Sequence, residues 1–279
     1  MIRVFIPNLI TCLNLFCGCM GILFAFQTNL VWASYMIFIA AIFDFFDGFA
    51  ARLLNGASEL GKQLDSLADA VTFGVLPAIM LYQFISISYG VYFLEWNERT
   101  TEQQLIPLAG FLLAIFSVLR LAKFNVDTKQ SDSFLGLPTP SSAIIVASIP
   151  IIMEIQYKLN LYYPINEEIR TYLAGRYFYR EWDMLVINTL FEPSFYIALT
   201  LILCFLLVVR LPLLALKFKT WRWKSNEYRY LLIILSILVA APADFTGVRF
   251  LAIPIIILLY IVISIIQLIF KNKPISDEI

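Results

Sequence analysis

Four aspartates are the residues of this chain best placed to do chemistry: Asp44, Asp47, Asp65 and Asp69. Asp44 and Asp47 are three apart and Asp65 and Asp69 four apart, so each pair lies on one face of a helix. Their surroundings are apolar, and acidic side chains inside membrane helices are costly enough that they mark a site with a specific partner. A short turn between the two helices makes them antiparallel. The pairs then face one another over roughly 4.5 and 6 Å of helix axis, Asp44 opposite Asp69 and Asp47 opposite Asp65. Facing carboxylates repel unless a cation lies among them, and neither pair encloses a Lys or Arg. Two hard divalent ions, magnesium or manganese about 3.5–4 Å apart, suit a box of this size. Helix capping accounts for Asp65 at the start of its helix, but not for Asp44 and Asp47 at the wrong end of theirs.

Gly48 follows Asp47, and Gly61 precedes Asp65 by one turn; each permits close helix approach or leaves room for a ligand. Arg52, one turn beyond Gly48, reaches a phosphate bound to the same metals. A second polar group lies further on. Arg120 and Lys123 share a helical face at the end of an apolar run, and Thr139-Pro140 reads as N-cap and first residue of the next helix. A helix start flanked by cations is an anion site. The chain has no histidine. Proton transfer therefore falls to carboxylates, hydroxyls, Lys or Arg, and any metal to oxygen ligands.

The elements that position these groups are membrane helices. Of 279 residues, 61% are apolar or aromatic and 14% charged, against about 25% charged in soluble domains. Apolar runs of roughly 20 residues, enough to cross a bilayer, occur at 8–26, 30–54, 64–86, 105–124, 140–156, 194–217 and 249–270, with a shorter one at 230–242. The expected fold is an all-α polytopic bundle of about eight transmembrane helices. It reads as a single integral membrane domain, 1–279, with a catalytic six-helix core over 1–218 and additional C-terminal helices over 228–271. The runs are continuous rather than alternating, which excludes a β-barrel. Lys and Arg concentrate in alternate connections and place both termini in the cytoplasm, along with the ends of the helices that carry the aspartates. The first run is expected to be retained as a span rather than cleaved. Twenty basic and twenty acidic residues balance, so nothing points to nucleic acid. Cys12, Cys17, Cys19 and Cys204 read as buried small apolar residues. The aromatic connection 157–192 reads as an interfacial hairpin, and the basic one at 210–229, with Trp221 and Trp223, as a headgroup anchor.

The stretch Asp44-x2-Asp47-Gly48-x2-Ala51-Arg52-x8-Gly61-x3-Asp65-x3-Asp69 resembles the complete signature of the CDP-alcohol phosphotransferases, matched at every fixed position. The resemblance implies transfer of a phosphatidyl group from a CDP-linked lipid to an alcohol, with release of CMP. It implies that Asp44, Asp47 and Asp65 hold the metals, that Asp69 completes the metal site and acts as base, and that Gly48, Arg52 and Gly61 lie against the CDP portion. Pro7-Asn8-x2-Thr11 is similar to the family's opening segment, which implies nucleotide contacts from Asn8 and Thr11.

Arg120-Leu121-Ala122-Lys123-Phe124-Asn125 and Gly136-Leu137-Pro138-Thr139-Pro140 resemble segments of the membrane-embedded bacterial phosphatidylserine synthases. L-serine is then the implied acceptor and CDP-diacylglycerol the donor, with Arg120, Lys123, Asn125, Thr139 and Ser141 on the serine side. Lys123 stands where the family carries arginine; charge is kept and a bidentate grip lost. The resemblance also implies the bacterial cytoplasmic membrane, a site facing the cytoplasm and a homodimer. Glycerol 3-phosphate, the acceptor of phosphatidylglycerophosphate synthases, would also use the cations, whereas neutral inositol would not need them. A cation transporter is the rival from another class. A transport path would continue polar, yet 30–43 and 70–83 carry no charge.

Overall fold

A computed structural model of the chain describes residues 2–126, 134–157, 181–214, 223, 226–241 and 249–271. Most of the aromatic connection, Trp221, and several basic residues used for orientation, Lys129 among them, lie outside the described residues. The fold is all-α. Helix α1 (Ile2–Phe26) and α2 (Leu30–Leu53) form an antiparallel hairpin whose turn ends at Asn29, the side chain of which accepts a hydrogen bond from the Trp32 N–H. The third span is one rod in three pieces: α3 (Glu59–Asp69), a π turn (Ala70–Val75) and α4 (Leu76–Ser88). After a short α5 (Thr101–Leu105) and a 3-10 segment (Ile106–Phe111) come α6 (Leu112–Val126) and α7 (Thr139–Pro150), the latter prolonged by a second π turn (Ile151–Gln156). Then follow α8 (Glu181–Leu190), α9 (Pro193–Val208), α10 (Glu227–Ala240) and α11 (Ala252–Lys271).

Six described helical stretches are long and apolar enough to cross a membrane, and a seventh if α8 and α9, bent by 79° at their junction, make one span. The protein is built as an integral membrane protein. Helix α10, at 14 residues, covers about 21 Å of a hydrocarbon core roughly 30 Å thick. The sixth span ends earlier than expected, at Val208 rather than Lys217, because the polypeptide turns at Pro212 to pair with another segment. Phe134–Leu135 and Pro212–Leu213 form a two-residue antiparallel bridge. Gly136 sits beside it at φ +74°, its N–H donating to the Leu211 carbonyl, and a Cβ there would come 2.8 Å from the Leu207 carbonyl oxygen. The Leu137 N–H donates to the Leu206 carbonyl. The Leu137 N–H thus serves the C-terminal end of α9, where helical carbonyls lack partners, and the Gly136 N–H the segment just beyond it.

Helix α1 packs against α2, α3, the π turn and α4, and is the axis around which the site is assembled. Gly18 makes this possible: a Cβ there would collide with the Thr72 hydroxyl and approach its Cα to 3.1 Å. The buried core runs through Leu30, Ile37, Phe73, Leu76, Met80, Leu81 and Leu113 to Tyr196 and Leu203. All four cysteines are free. Cys17 and Cys204 are buried, whereas Cys12 and Cys19 are exposed, contrary to expectation, because they fall on the outward face of α1. Trp223 is exposed and stacks on Tyr230 with ring centroids 5.1 Å apart.

Candidate active site

The carboxylates are brought together by the α2–α3 turn. Asn55 adopts φ +51°, the Gly56 N–H closes on the Ala51 carbonyl, and Ser58 caps α3 by accepting from the Gly61 N–H at 3.0 Å. Gly56 lies directly against the backbone of Arg3, where a Cβ has no space. This contact seats the turn on the first residues of α1 and sets Asn8, Thr11 and Asn14 beside the aspartates.

Asp44, Asp47 and Asp65 each offer a carboxylate oxygen within 4.8 Å of the other two. This differs in detail from the two facing pairs expected, since Asp44 joins Asp47 and Asp65 and Asp69 stands outside the trio. The Thr11 hydroxyl bonds to Asp47 Oδ2 at 2.7 Å, and Asp47 is only 6% exposed. Asp65 Oδ1 is buried without a hydrogen-bond partner. Three carboxylate oxygens this close, one of them lacking any donor, form the donor set of a hard divalent cation. The chain fits the metal that its sequence implies.

Asp69 is buried and held separately. Asn14 Nδ2 donates to Asp69 Oδ1 at 3.1 Å, while the Asn14 carbonyl accepts from the Thr72 hydroxyl at 3.2 Å. A carboxylate accepts only, so the amide must present its nitrogen, which leaves Asn14 Oδ1 buried and unpaired. The π turn begins at the next residue after Asp69. Such bulges re-aim side chains in a helix and recur at functional sites.

A cleft of about 220 Å³ opens beside the trio, lined by Asn8, Thr11, Asp47, Gly48, Gly61, Lys62 and Asp65 among others. Gly48 faces open space: the nearest atom to a Cβ there would be an Arg52 guanidinium nitrogen at 4.0 Å. Arg52 is thus folded back over the glycine, its head beside the cleft and exposed. Gly61 serves differently, since a Cβ would come 2.9 Å from Asn8 Oδ1. One glycine leaves room for a ligand and the other for a side chain.

A single family model decides the relationship. The model described as CDP-alcohol phosphatidyltransferase matches residues 4–177. The chain belongs to the CDP-alcohol phosphatidyltransferase family. Among family members, a CDP-diacylglycerol–serine O-phosphatidyltransferase of Helicobacter pylori strain J99 is 36% identical over 142 residues, 50% of this chain and 54% of that protein. The protein of the same name in Bacillus subtilis strain 168 is 39% identical over 140 residues, 49% of this chain and 70% of that one. An archaetidylserine synthase of Methanothermobacter thermautotrophicus is 35% identical over 146 residues, 51% and 56% respectively. The match spans about half the length of the Helicobacter and Methanothermobacter relatives.

The expected acceptor residues differ in their surroundings. Arg120 is half-buried and within electrostatic reach of Asp69, with its Nε buried and unpartnered. Asn125 instead ties α6 to α3: its amide donates to the Ser66 hydroxyl at 2.8 Å and its carbonyl accepts from Lys62 at 3.3 Å. Lys123 is exposed. Thr139 is not the N-cap. That position is Pro138, whose carbonyl accepts from the Ser141 and Ser142 N–H groups, and Thr139 is already helical. Its hydroxyl is consequently buried and unpaired rather than spent on a cap. Ser141 faces a separate apolar cavity.

Sequence reasoning missed Asn14, Lys62 and Ser66. A signal for Asn14 existed: Asn8, Thr11 and Asn14 recur every three residues along an otherwise apolar helix.

Proposed function

We propose that the protein is a metal-dependent CDP-diacylglycerol–serine O-phosphatidyltransferase, a phosphatidylserine synthase of phospholipid biosynthesis. The observation that carries the proposal is the trio Asp44, Asp47 and Asp65 at the wall of a cleft shared with Asn8, Thr11, Gly48 and Gly61. In this reading the nucleotide end of CDP-diacylglycerol lies in that cleft, with Arg52 over Gly48 at the diphosphate. Magnesium or manganese held by the trio, as two ions with Asp69 completing the second site, supplies charge neutralisation for the leaving CMP. The serine hydroxyl oxygen attacks the phosphorus carrying the diacylglycerol, and the bond from that phosphorus to the CMP oxygen breaks. Asp69, with Oδ1 fixed by Asn14, takes the hydroxyl proton on Oδ2. Arg120, near Asp69, holds the serine carboxylate.

The choice of serine over other alcohols rests on the names of the relatives and on this cation beside the base. The same reading places the site and both termini on the cytoplasmic side of the bacterial inner membrane, the catalytic core in 1–218, and the enzyme as a homodimer. Purified protein incubated with CDP-diacylglycerol, manganese or magnesium, and one alcohol at a time tests it. Phosphatidylserine and CMP formed with serine alone is the expected result, with the lipid identified by mass spectrometry. Phosphatidylglycerophosphate formed from glycerol 3-phosphate would make the acceptor reading wrong, and metal transport without CMP release would refute the enzyme reading.

A further inference from the structure

Lys62 falls on an unspecified position of the family signature, the residue after Gly61, yet it stands where the helices around the site meet. It lies near the start of α3, one turn before Asp65, and lines the cleft together with Asn8, Gly48 and Gly61. Its ammonium donates to the main-chain carbonyl of Asn125 at 3.3 Å. Asn125 is the last residue but one of α6, so this carbonyl is among those that lack a partner within the helix and carry the negative end of its dipole. Asn125 holds α3 a second time: its side-chain amide donates to the Ser66 hydroxyl at 2.8 Å, one turn beyond Lys62. The ammonium and the helix that carries it are thus both fixed to the end of α6. One of its three N–H bonds is used there, and two remain for a ligand in the cleft.

We propose that Lys62 binds the CMP phosphate of the donor, the phosphate that leaves. The inference rests on the reading that the nucleotide end of CDP-diacylglycerol lies in this cleft. The phosphorus bearing the diacylglycerol has to stand next to Asp69 for the proton of the attacking hydroxyl to be taken. Asp69 is seven residues beyond Lys62 on α3, which at 1.5 Å per residue is about 10 Å further from the α2–α3 turn. Asp65, with the rest of the trio, lies between the two levels. The second phosphate, which joins the first to the cytidine, therefore points back toward the turn. Two cations flank it there, Arg52 from α2 over Gly48 and Lys62 from α3. Negative charge accumulates on this phosphate as the bond to the attacked phosphorus breaks, so a cation fixed beside it stabilises the transition state most. A lysine free to swing beside three carboxylates would close on them. The Asn125 carbonyl, a neutral acceptor outside the trio, draws Lys62 aside.

The test compares inhibition of turnover by CMP and by cytidine in full-length Lys62→Gln and Lys62→Arg, alongside the KM for each substrate. Glutamine can still donate to the Asn125 carbonyl but has no charge, whereas arginine keeps the charge. In Lys62→Gln the inhibition constant for CMP and the KM for CDP-diacylglycerol should each rise about tenfold, the lower end for a charge-assisted hydrogen bond from an exposed side chain. The inhibition constant for cytidine, which has no phosphate, and the KM for serine should stay within about twofold of wild type. Lys62→Arg should keep CMP inhibition within about threefold. Unchanged CMP inhibition in Lys62→Gln overturns the inference. So does an equal weakening of CMP and cytidine, which would mean that Lys62 only shapes the cleft, and so does a rise confined to the serine KM, which would put it at the acceptor. Wild-type protein that releases no CMP from CDP-diacylglycerol overturns the donor reading and this inference together. Wild-type turnover with CMP inhibition untouched in Lys62→Gln removes Lys62 alone.

Discussion

Asn14→Leu isolates what holds Asp69, the proposed base. Leucine keeps the branch point of asparagine with somewhat greater bulk, and the bond from the Thr72 hydroxyl goes to the Asn14 main-chain carbonyl, which the substitution leaves in place. What disappears is the 3.1 Å donation to Asp69 Oδ1. Hydrogen bonds to a charged group contribute about 1.5–3 kcal/mol, and leaving a buried acceptor unsatisfied costs a similar amount. With the residue fully buried, no water replaces the amide. If half to all of that orientation is used only when the proton is transferred, kcat falls about 3- to 140-fold, at about 1.4 kcal/mol per factor of ten. Asn14 makes no hydrogen bond to the trio, so the affinity for manganese at the trio, read by electron paramagnetic resonance of the free ion, should stay within about twofold of wild type, whatever happens at the second ion beside Asp69. Both quantities are measured on the same purified protein with CDP-diacylglycerol and serine saturating. A fall in manganese affinity as large as the fall in kcat would refute the division between a metal-binding trio and a separately held base. An unchanged kcat would show that the bond has no part in turnover.

Asp69→Asn should lower kcat at least about 1,000-fold while equilibrium binding of CDP-diacylglycerol changes little; equal loss of both would make Asp69 a metal ligand first. Gly61→Ala puts a Cβ 2.9 Å from Asn8 Oδ1, and the displaced Asn8 should raise the KM for CDP-diacylglycerol about tenfold with the serine KM unaffected. Arg120→Ala should raise the serine KM at least about tenfold more than Lys123→Ala does, since Arg120 is half-buried beside Asp69 and Lys123 is exposed; equal effects would place both cations at the acceptor. Gly136→Ala forces a side chain into φ +74°, costing about 1–2 kcal/mol from the backbone alone. The melting temperature should drop while manganese affinity holds.

The aspartate box was legible because it combines two strong signals, charge inside an apolar run and helical spacing. Its internal arrangement was not. Treating α2 and α3 as straight antiparallel rods pairs Asp44 with Asp69, and Asp44 is the carboxylate that acts most strongly on Asp69, but Asp44 also joins Asp47 and Asp65 in one group. The Gly-Leu-Pro run enters the sequence reading only through its resemblance to a serine-type segment. In the fold its leucine N–H is consumed by the end of α9 and its glycine N–H by Leu211 just beyond it, partners about 70 residues away that local pattern cannot reveal. The role of Thr139 turned on one residue of helix register, and whether its hydroxyl is free depends on that register.

The groups that orient the carboxylates are neutral. Thr11 serves Asp47 and Asn14 serves Asp69. A Lys or Arg in either place would hold its aspartate more strongly and would cancel the negative charge that makes the trio a cation site. Hydroxyl and amide donors fix direction at little electrostatic cost. The cations that do stand nearby are kept off the trio by geometry: Arg52 is folded over Gly48, Lys62 is tied to the Asn125 carbonyl, and Arg120 lies beside Asp69. A chain without histidine has to place a base, a metal site and anion-binding cations within a few residues of one another and stop them from neutralising each other. Spacing them with uncharged hydrogen-bond donors and glycines is how this sequence does it, which is why Thr11, Asn14, Gly48 and Gly61 belong to the chemistry as much as the aspartates do.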